Sequence, residues 1–235
     1  MRTVVLIPYY GGITPAANPP SKRPGYLAKT VKSLQGLADI IWVGVCRPED
    51  EYQAVRAGDV IAARFDCAPL AIAHNLLKMA QEDGFTEGYD LVYVTEADQI
   101  LHYDPEIISY VQGRDYLVPH RLEELGPNRA GAERGPLFSY DGREWVTGER
   151  PPIPVTSQPV YSTAHIVDGY GGAYLCSAEF FRAMNIQLDQ QAPVENATGF
   201  TPFHQGRVLK ATDWQRFFVE HLSGHDYHCK LAEGR

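Results

Sequence analysis

Four short runs of β-branched and aromatic residues punctuate the first half of the chain: Thr3 to Ile7, Ile40 to Val45, a weaker Val60 to Phe65, and Leu91 to Thr95. Each is ended by turn or polar residues, as buried parallel strands are. Between them, Tyr26 to Leu37 places Tyr26, Thr30, Leu34 and Leu37 at helical spacing, and Leu70, Ala73, Leu77 and Ala80 repeat the pattern. The second helix has Asp66 as N-cap, Pro69 in its first turn, where a missing N–H costs little, and Gly84 at its end. Alternation of this kind predicts an α/β fold, a mostly parallel central sheet with helices on both faces.

The second half breaks the rhythm. Gly126 to Ser162 is rich in Gly, Pro and Arg, and Phe138 to Trp145 reads as a hairpin around Asp141-Gly142. A long irregular stretch in a compact domain is usually functional, so residues 126–162 are read as a flap over a binding site. Asp168 to Cys176 reads as a glycine-rich turn into a strand, and Ser177 to Met184 as a short helix capped by Ser177. Thr212 followed by Gln215 has the capping-box form, which predicts a helix ending near Gly224, and Tyr227 to Leu231 adds a last strand. A chain of 235 residues fits one domain, 1–235.

A net charge of −8 argues against nucleic acid or an anionic membrane surface as a partner, since both select for basic faces. The apolar run from Met1 to Pro8 is too short for a signal peptide, and no stretch reaches the roughly 18 apolar residues of a membrane span. The expectation is a cytoplasmic protein without an integral membrane segment. Cys46, Cys67, Cys176 and Cys229 lack Cys-x-x-Cys spacing and read as reduced, buried thiols.

The segment richest in chemistry is Asp90-Leu-Val-Tyr-Val-Thr-Glu-Ala-Asp-Gln99, a strand running into two acids separated by one residue. In extended chain, residues two apart face the same side, so Glu96 and Asp98 converge. Parallel α/β sheets bind ligands at the carboxyl ends of their strands, where this pair falls. Two carboxylates suit a hard divalent cation, Mn²⁺ or Mg²⁺, which can hold the diphosphate of a nucleotide. The same acids equally suit a turn or a helix cap.

The first two strands, the helix carrying His74 and Asn75, and the strand ending in an acid-x-acid pair resemble the nucleotide-diphospho-sugar transferase fold, GT-A. The resemblance covers residues 1–105 in order and 168–231 more loosely, with Glu96-Ala97-Asp98 in place of the family's Asp-x-Asp, and implies a donor half over 1–105 and an acceptor half over 106–235. It implies a metal-dependent glycosyltransferase that moves a sugar from a nucleotide-diphosphate donor to the hydroxyl of a carbohydrate or other acceptor, with inversion. Pro8, Tyr9 and Tyr10 would then hold the base, and His74 and Asn75 would face the donor. Glu96, Asp98 and a C-terminal histidine, His228 before His225, would bind the metal. Asp168, Gly171 and Gly172 would lie beneath the acceptor. Asp213 would be the catalytic base, with Glu195 as a substitute; ordinary packing, capping or surface roles account for the same residues equally well. Arg121 is a further candidate for a phosphate or acceptor contact.

Two rivals stand beside this reading. A sugar-1-phosphate nucleotidyltransferase is suggested by Gly11-Gly12 followed by Lys22-Arg23-Pro24, although Pro15, Pro19 and Pro20 remove amides that a phosphate cradle would use. A catalytically silent sugar- or nucleotide-binding module is the other, because a fold does not by itself fix a function.

Overall fold

The computed structural model describes residues 1–11, 23–82, 84–117, 119–123, 137–140, 145–148, 160–162, 173–186, 206–209 and 216–222. Its centre is a seven-stranded sheet. The strands are β1 (Thr3–Pro8), β2 (Ile40–Val45), β3 (Ile61–Arg64), β4 (Leu91–Val94), β6 (Asp115–Leu117), β11 (Tyr174–Ser177) and β12 (Arg207–Leu209). They lie in the order β12-β6-β11-β4-β1-β2-β3. Strand β11 is antiparallel to both neighbours and every other pairing is parallel. The fold is therefore α/β with a mostly parallel sheet, as the alternation of strands and helices predicts.

Both faces of this sheet are covered. Along β1, Val5 and Ile7 join one core while Val4 and Leu6 join the other, all of them inaccessible to solvent. That is why the run reads as continuously apolar and not as alternating. The first core receives Leu27 and Val31 from helix α1 (Arg23–Ser33), Leu34 from the turn that follows it, and Ala54 from helix α2 (Pro48–Ala57). The second receives Leu76, Leu77 and Ala80 from α3 (Ile72–Glu82), together with Phe180 and Phe181 from α5 (Ala178–Ala183). Helix α3 rides close to the sheet at Gly44, where a Cβ would come within 3.1 Å of the Leu76 side chain. Helices α3 and α5 are tied end to side: the Gln81 amide donates to the carbonyls of Phe181 and Met184, both at 2.8 Å, satisfying the end of α5.

A second sheet of four strands has the order β10-β7-β13-β5. It comprises β5 (Gln99–Tyr103), β7 (His120–Glu123), β10 (Val160–Ser162) and β13 (Phe217–His221). Leu101, Phe217 and Val219 carry it into the first core, and the Phe217 ring meets Tyr93 of β4 edge to face. Between β5 and β6 lies the short helix α4 (Pro105–Ile108), capped by the Asp104 carboxylate, which accepts from the Glu106 amide at 2.9 Å. The hairpin expected near Asp141-Gly142 is present as β8 (Leu137–Tyr140) against β9 (Trp145–Gly148), with Tyr140 opposite Trp145. Other residues of the expected flap lie outside the described residues.

Several sequence expectations need correction. The helix α1 stops at Ser33, with Leu27, Thr30 and Val31 as its buried face and Leu34 buried just beyond it; Tyr26 is only half-buried, and Leu37, past the helix, still packs against the first core. Pro69–Ala71 forms a 3₁₀ turn preceded by Ala68, so Asp66 is not the cap of α3. Helix α2 was not foreseen at all. The helix expected from Thr212 to near Gly224 is contradicted from Phe217 onward, where the chain is strand β13. Phe217 and Val219, two residues apart, are both buried, a spacing that suits a strand, and β-branched and aromatic residues favour that choice. Ser177, by contrast, caps α5 as expected, accepting from the Phe180 amide at 3.1 Å. Cys176 is a buried thiol as expected, whereas Cys46 and Cys67 are half-buried.

Candidate functional site

The carboxyl ends of β1, β2, β3 and β4 lie side by side on one rim of the parallel sheet, since the four strands are adjacent and run the same way. Two groups of polar side chains gather there.

The first is the acid-x-acid turn. Strand β4 ends at Val94; the Thr95 amide still donates to Leu6 O at 3.1 Å, and the chain turns at Ala97-Asp98 into β5. The expectation that Glu96 and Asp98 lie in extended chain on one face is thus corrected, because the turn separates their environments. Glu96 is 6% exposed, whereas Asp98 is half-buried. A relay of side chains holds Glu96: the Thr95 hydroxyl donates to Gln99 Oε1 at 2.9 Å, which orients the amide so that Nε2 donates to Glu96 Oε2 at 2.8 Å. The backbone of the turn is braced from two further elements. Thr30 of α1 donates its hydroxyl to Ala97 O at 3.0 Å, and the Leu222 amide, just beyond β13, donates to Asp98 O at 2.8 Å. Ser33 of α1 accepts from the Leu101 amide at 3.1 Å, fixing the strand that leaves the turn.

The second group surrounds the end of β1. Pro8 is the last residue of the strand, opposite Gly44, and the Tyr9 amide donates to Gly44 O at 2.8 Å. Tyr9 is 2% exposed and its hydroxyl donates to Gln53 of α2 at 2.6 Å, so its ring belongs to the core. Tyr10 lies under the guanidinium of Arg47, 4.4 Å from ring centroid to Cζ. Arg47 is the residue before α2 and grips Asp50 with two parallel bonds, Nε to Oδ2 at 2.8 Å and Nη2 to Oδ1 at 2.7 Å. Asp50 is inaccessible to solvent and also accepts from the Gly11 amide at 3.2 Å. A Cβ on Gly11 would approach Asp50 Oδ1 to 2.5 Å, so only glycine lets the backbone come this near. The paired carboxylate raises the Arg47 pKa further above its ordinary value.

Helix α3 supplies the third side. His74 is half-buried, its Nδ1 is buried without a hydrogen-bond partner among the described residues, and burial first, then Lys78, lowers its pKa. Asn75 hydrogen-bonds the Cys67 thiol, whose pKa burial nevertheless pushes up. The expected donor residues Pro8, Tyr9, Tyr10, His74, Asn75, Glu96 and Asp98 are all described and fall on elements that meet this rim. Asp168, Gly171, Gly172, Glu195, Asp213, His225 and His228 lie outside the described residues. Arg121 is placed in β7 opposite Val219, in the second sheet.

Arg47 and Asp50 were missed by sequence reasoning. A helix start was nevertheless written there, with Pro48 at N1, three acids in the first turn and Arg56 in the last.

The donor chemistry of Glu96 and Asp98, carboxylate oxygens only, suits a hard divalent cation. Asp98 is the more accessible of the two, while one Glu96 oxygen is engaged by Gln99. Among the described residues no cluster of three or more His, Cys, Asp or Glu forms a complete metal site.

No family model matches the chain, and no curated protein matches it. Among solved structures, the chain resembles a Bacillus anthracis protein assigned as a glucose-1-phosphate thymidylyltransferase, in complex with sucrose. The similarity spans 99% of this chain and 93% of that one at 16% sequence identity, with a TM-score of 0.49. A superposition this loose assigns neither family nor activity. No helix among the described residues is long and apolar enough to cross a membrane.

Proposed function

We propose that this chain is a transferase acting on nucleotide-diphosphate sugars, moving the sugar onto an acceptor hydroxyl. The observation that carries the reading is the acid turn: two carboxylates at the end of a central parallel strand, braced by α1, the end of β13 and Gln99, on the rim where such sheets bind ligands. So many constraints on one turn fix the backbone that carries a half-exposed carboxylate before any ligand arrives, and preorganisation is what electrostatic catalysis needs.

In this reading Asp98, with Glu96 behind it, would hold a divalent cation of the Mn²⁺ or Mg²⁺ type. Such an ion, when bound, offsets the negative charge that builds on the diphosphate as the sugar leaves. Asp98 supplies the accessible oxygen, and the Gln99 amide keeps Glu96 oriented and its charge satisfied. Tyr10, Arg47, His74 and Asn75 border the donor, and Asp213 would take the proton from the attacking hydroxyl.

Titration calorimetry with UDP, GDP and ADP, in Mn²⁺ and in chelator, tests it. The expected result is metal-dependent binding of one nucleotide, weakened at least about tenfold in Asp98→Asn, or about 1.4 kcal/mol. Absence of binding to every diphosphate would sink the reading. Release of pyrophosphate from a nucleoside triphosphate and a sugar phosphate, in place of glycosyl transfer, would move the chemistry to phosphorus.

A further inference from the structure

We infer that Arg47 is a ligand-reading residue of this site, presenting its end-on guanidinium edge to a pair of adjacent acceptor atoms on the bound nucleotide. The inference rests on the nucleotide-binding reading above and adds the group that selects the nucleotide.

Three observations converge on it. The side edge of the guanidinium, Nε and Nη2, is committed to a carboxylate inaccessible to solvent, so the group cannot swing away. Its Cζ sits 4.4 Å from the centroid of the Tyr10 ring, a second contact that restrains the group. Yet the side chain remains 28% exposed, and among the described residues it makes no other hydrogen bond. A guanidinium carries five N–H donors, so both Nη1 protons and one on Nη2 remain, and these form the end-on fork.

A brace for α2 alone would need only the side edge. A cation pinned this firmly and left partly open, at the end of β2 beside the end of β1, is built to meet acceptors. Two chemistries offer adjacent acceptors at the right spacing: the O6/N7 edge of guanine and the oxygens of a diphosphate. The shared demand is a planar pair of acceptors, which Lys, a point charge, does not match.

The test is calorimetry in Mn²⁺ with GDP, UDP, ADP and inorganic pyrophosphate, on wild type, Arg47→Lys, Arg47→Met and Asp98→Asn. Arg47→Lys is expected to weaken the preferred nucleotide at least about tenfold, within the discrimination typical of a bidentate contact. Loss confined to GDP identifies the guanine edge; equal loss for pyrophosphate identifies the diphosphate. A second readout uses the native protein: Arg47 labelling by an arginine-specific dicarbonyl, mapped by mass spectrometry, is expected to fall at least fivefold when nucleotide is bound. That readout stands even where the Arg47 variants fold poorly. Nucleotide binding lost in Asp98→Asn but unchanged in Arg47→Lys and Arg47→Met, with no protection from labelling, overturns the role of Arg47 while leaving the site intact. No binding by the wild type overturns both.

Discussion

Two acids on the same rim have opposite fates. Asp50 is fully buried, held by both nitrogens of the Arg47 side edge and by the Gly11 amide, while Asp98 is half-exposed on a turn whose backbone is braced around it. In the first case the carboxylate is the brace; in the second the carboxylate is what the braces hold out. Spacing in the sequence does not distinguish them, because both are acids close behind a strand. What separates them is burial and where the braces attach: for Asp50 the donors converge on a side chain inaccessible to solvent, whereas the Leu222 amide reaches the main-chain carbonyl of a half-buried Asp98.

The comparison makes predictions that differ in size. Asp50→Asn removes the charge from a buried pair and is expected to cost about 2–3 kcal/mol, below the 3–5 typical of fully buried pairs because Arg47 stays partly in water. Chemical denaturation reads this directly, and a loss below 0.5 kcal/mol would end the description of Asp50 as a brace. Gln99→Leu leaves the Glu96 carboxylate without its amide donor and is expected to cost about 1–2 kcal/mol, measured the same way.

His74 sharpens the comparison through pH. Its folded pKa is depressed below 6.5, chiefly by burial, so the unfolded chain takes the proton first. The stability from its neutral form is complete above about 6.5 and is lost as the pH falls through the folded value. Unfolding curves from pH 7.5 to 5 should therefore show a decline that is shallower in His74→Gln; parallel declines would remove His74 from the account. Smallest is Asp98→Asn, expected to change stability by less than about 0.5 kcal/mol while weakening metal-dependent binding at least about tenfold. A larger cost than that of Asp50→Asn would erase the distinction between the two acids.

The sequence conveyed the sheet well where burial on both faces left one periodicity to read. Val4 to Ile7 and Ile41 to Val45 could form little else, and Ser177 announced its helix by its own hydroxyl. It conveyed poorly whatever depends on distant partners. Helix α2 buries only Asp50 and Ala54, so it offers no apolar stripe, and its anchor is an acid that looks like surface until Arg47 and Gly11 are seen around it. Thr212 and Gln215 form a persuasive local signal for a helix, yet the following Phe217 and Val219 pair with β5 and β7, and tertiary packing overrides the propensity. The acid pair was legible as a pair, but not as one buried and one open carboxylate. That asymmetry is set by Gln99 and by contacts from α1 and the end of β13.

The strand β11 carries a consequence for how the molecule comes into being. It inserts between β4 and β6 from far along the chain, pairing Leu91 with Ser177, and Leu222 reaches back to Asp98 from later still. A nascent polypeptide released from the ribosome as far as residue 105 already contains the entire acid turn and the Thr30 hydroxyl. It still has a bare edge on β4 and no amide for Asp98 O. Contacts so remote in sequence form slowly and leave strand edges open to other chains meanwhile. Synthesis therefore delivers the rim in two instalments, and the turn intended for a ligand takes its final posture only after Leu222 has emerged.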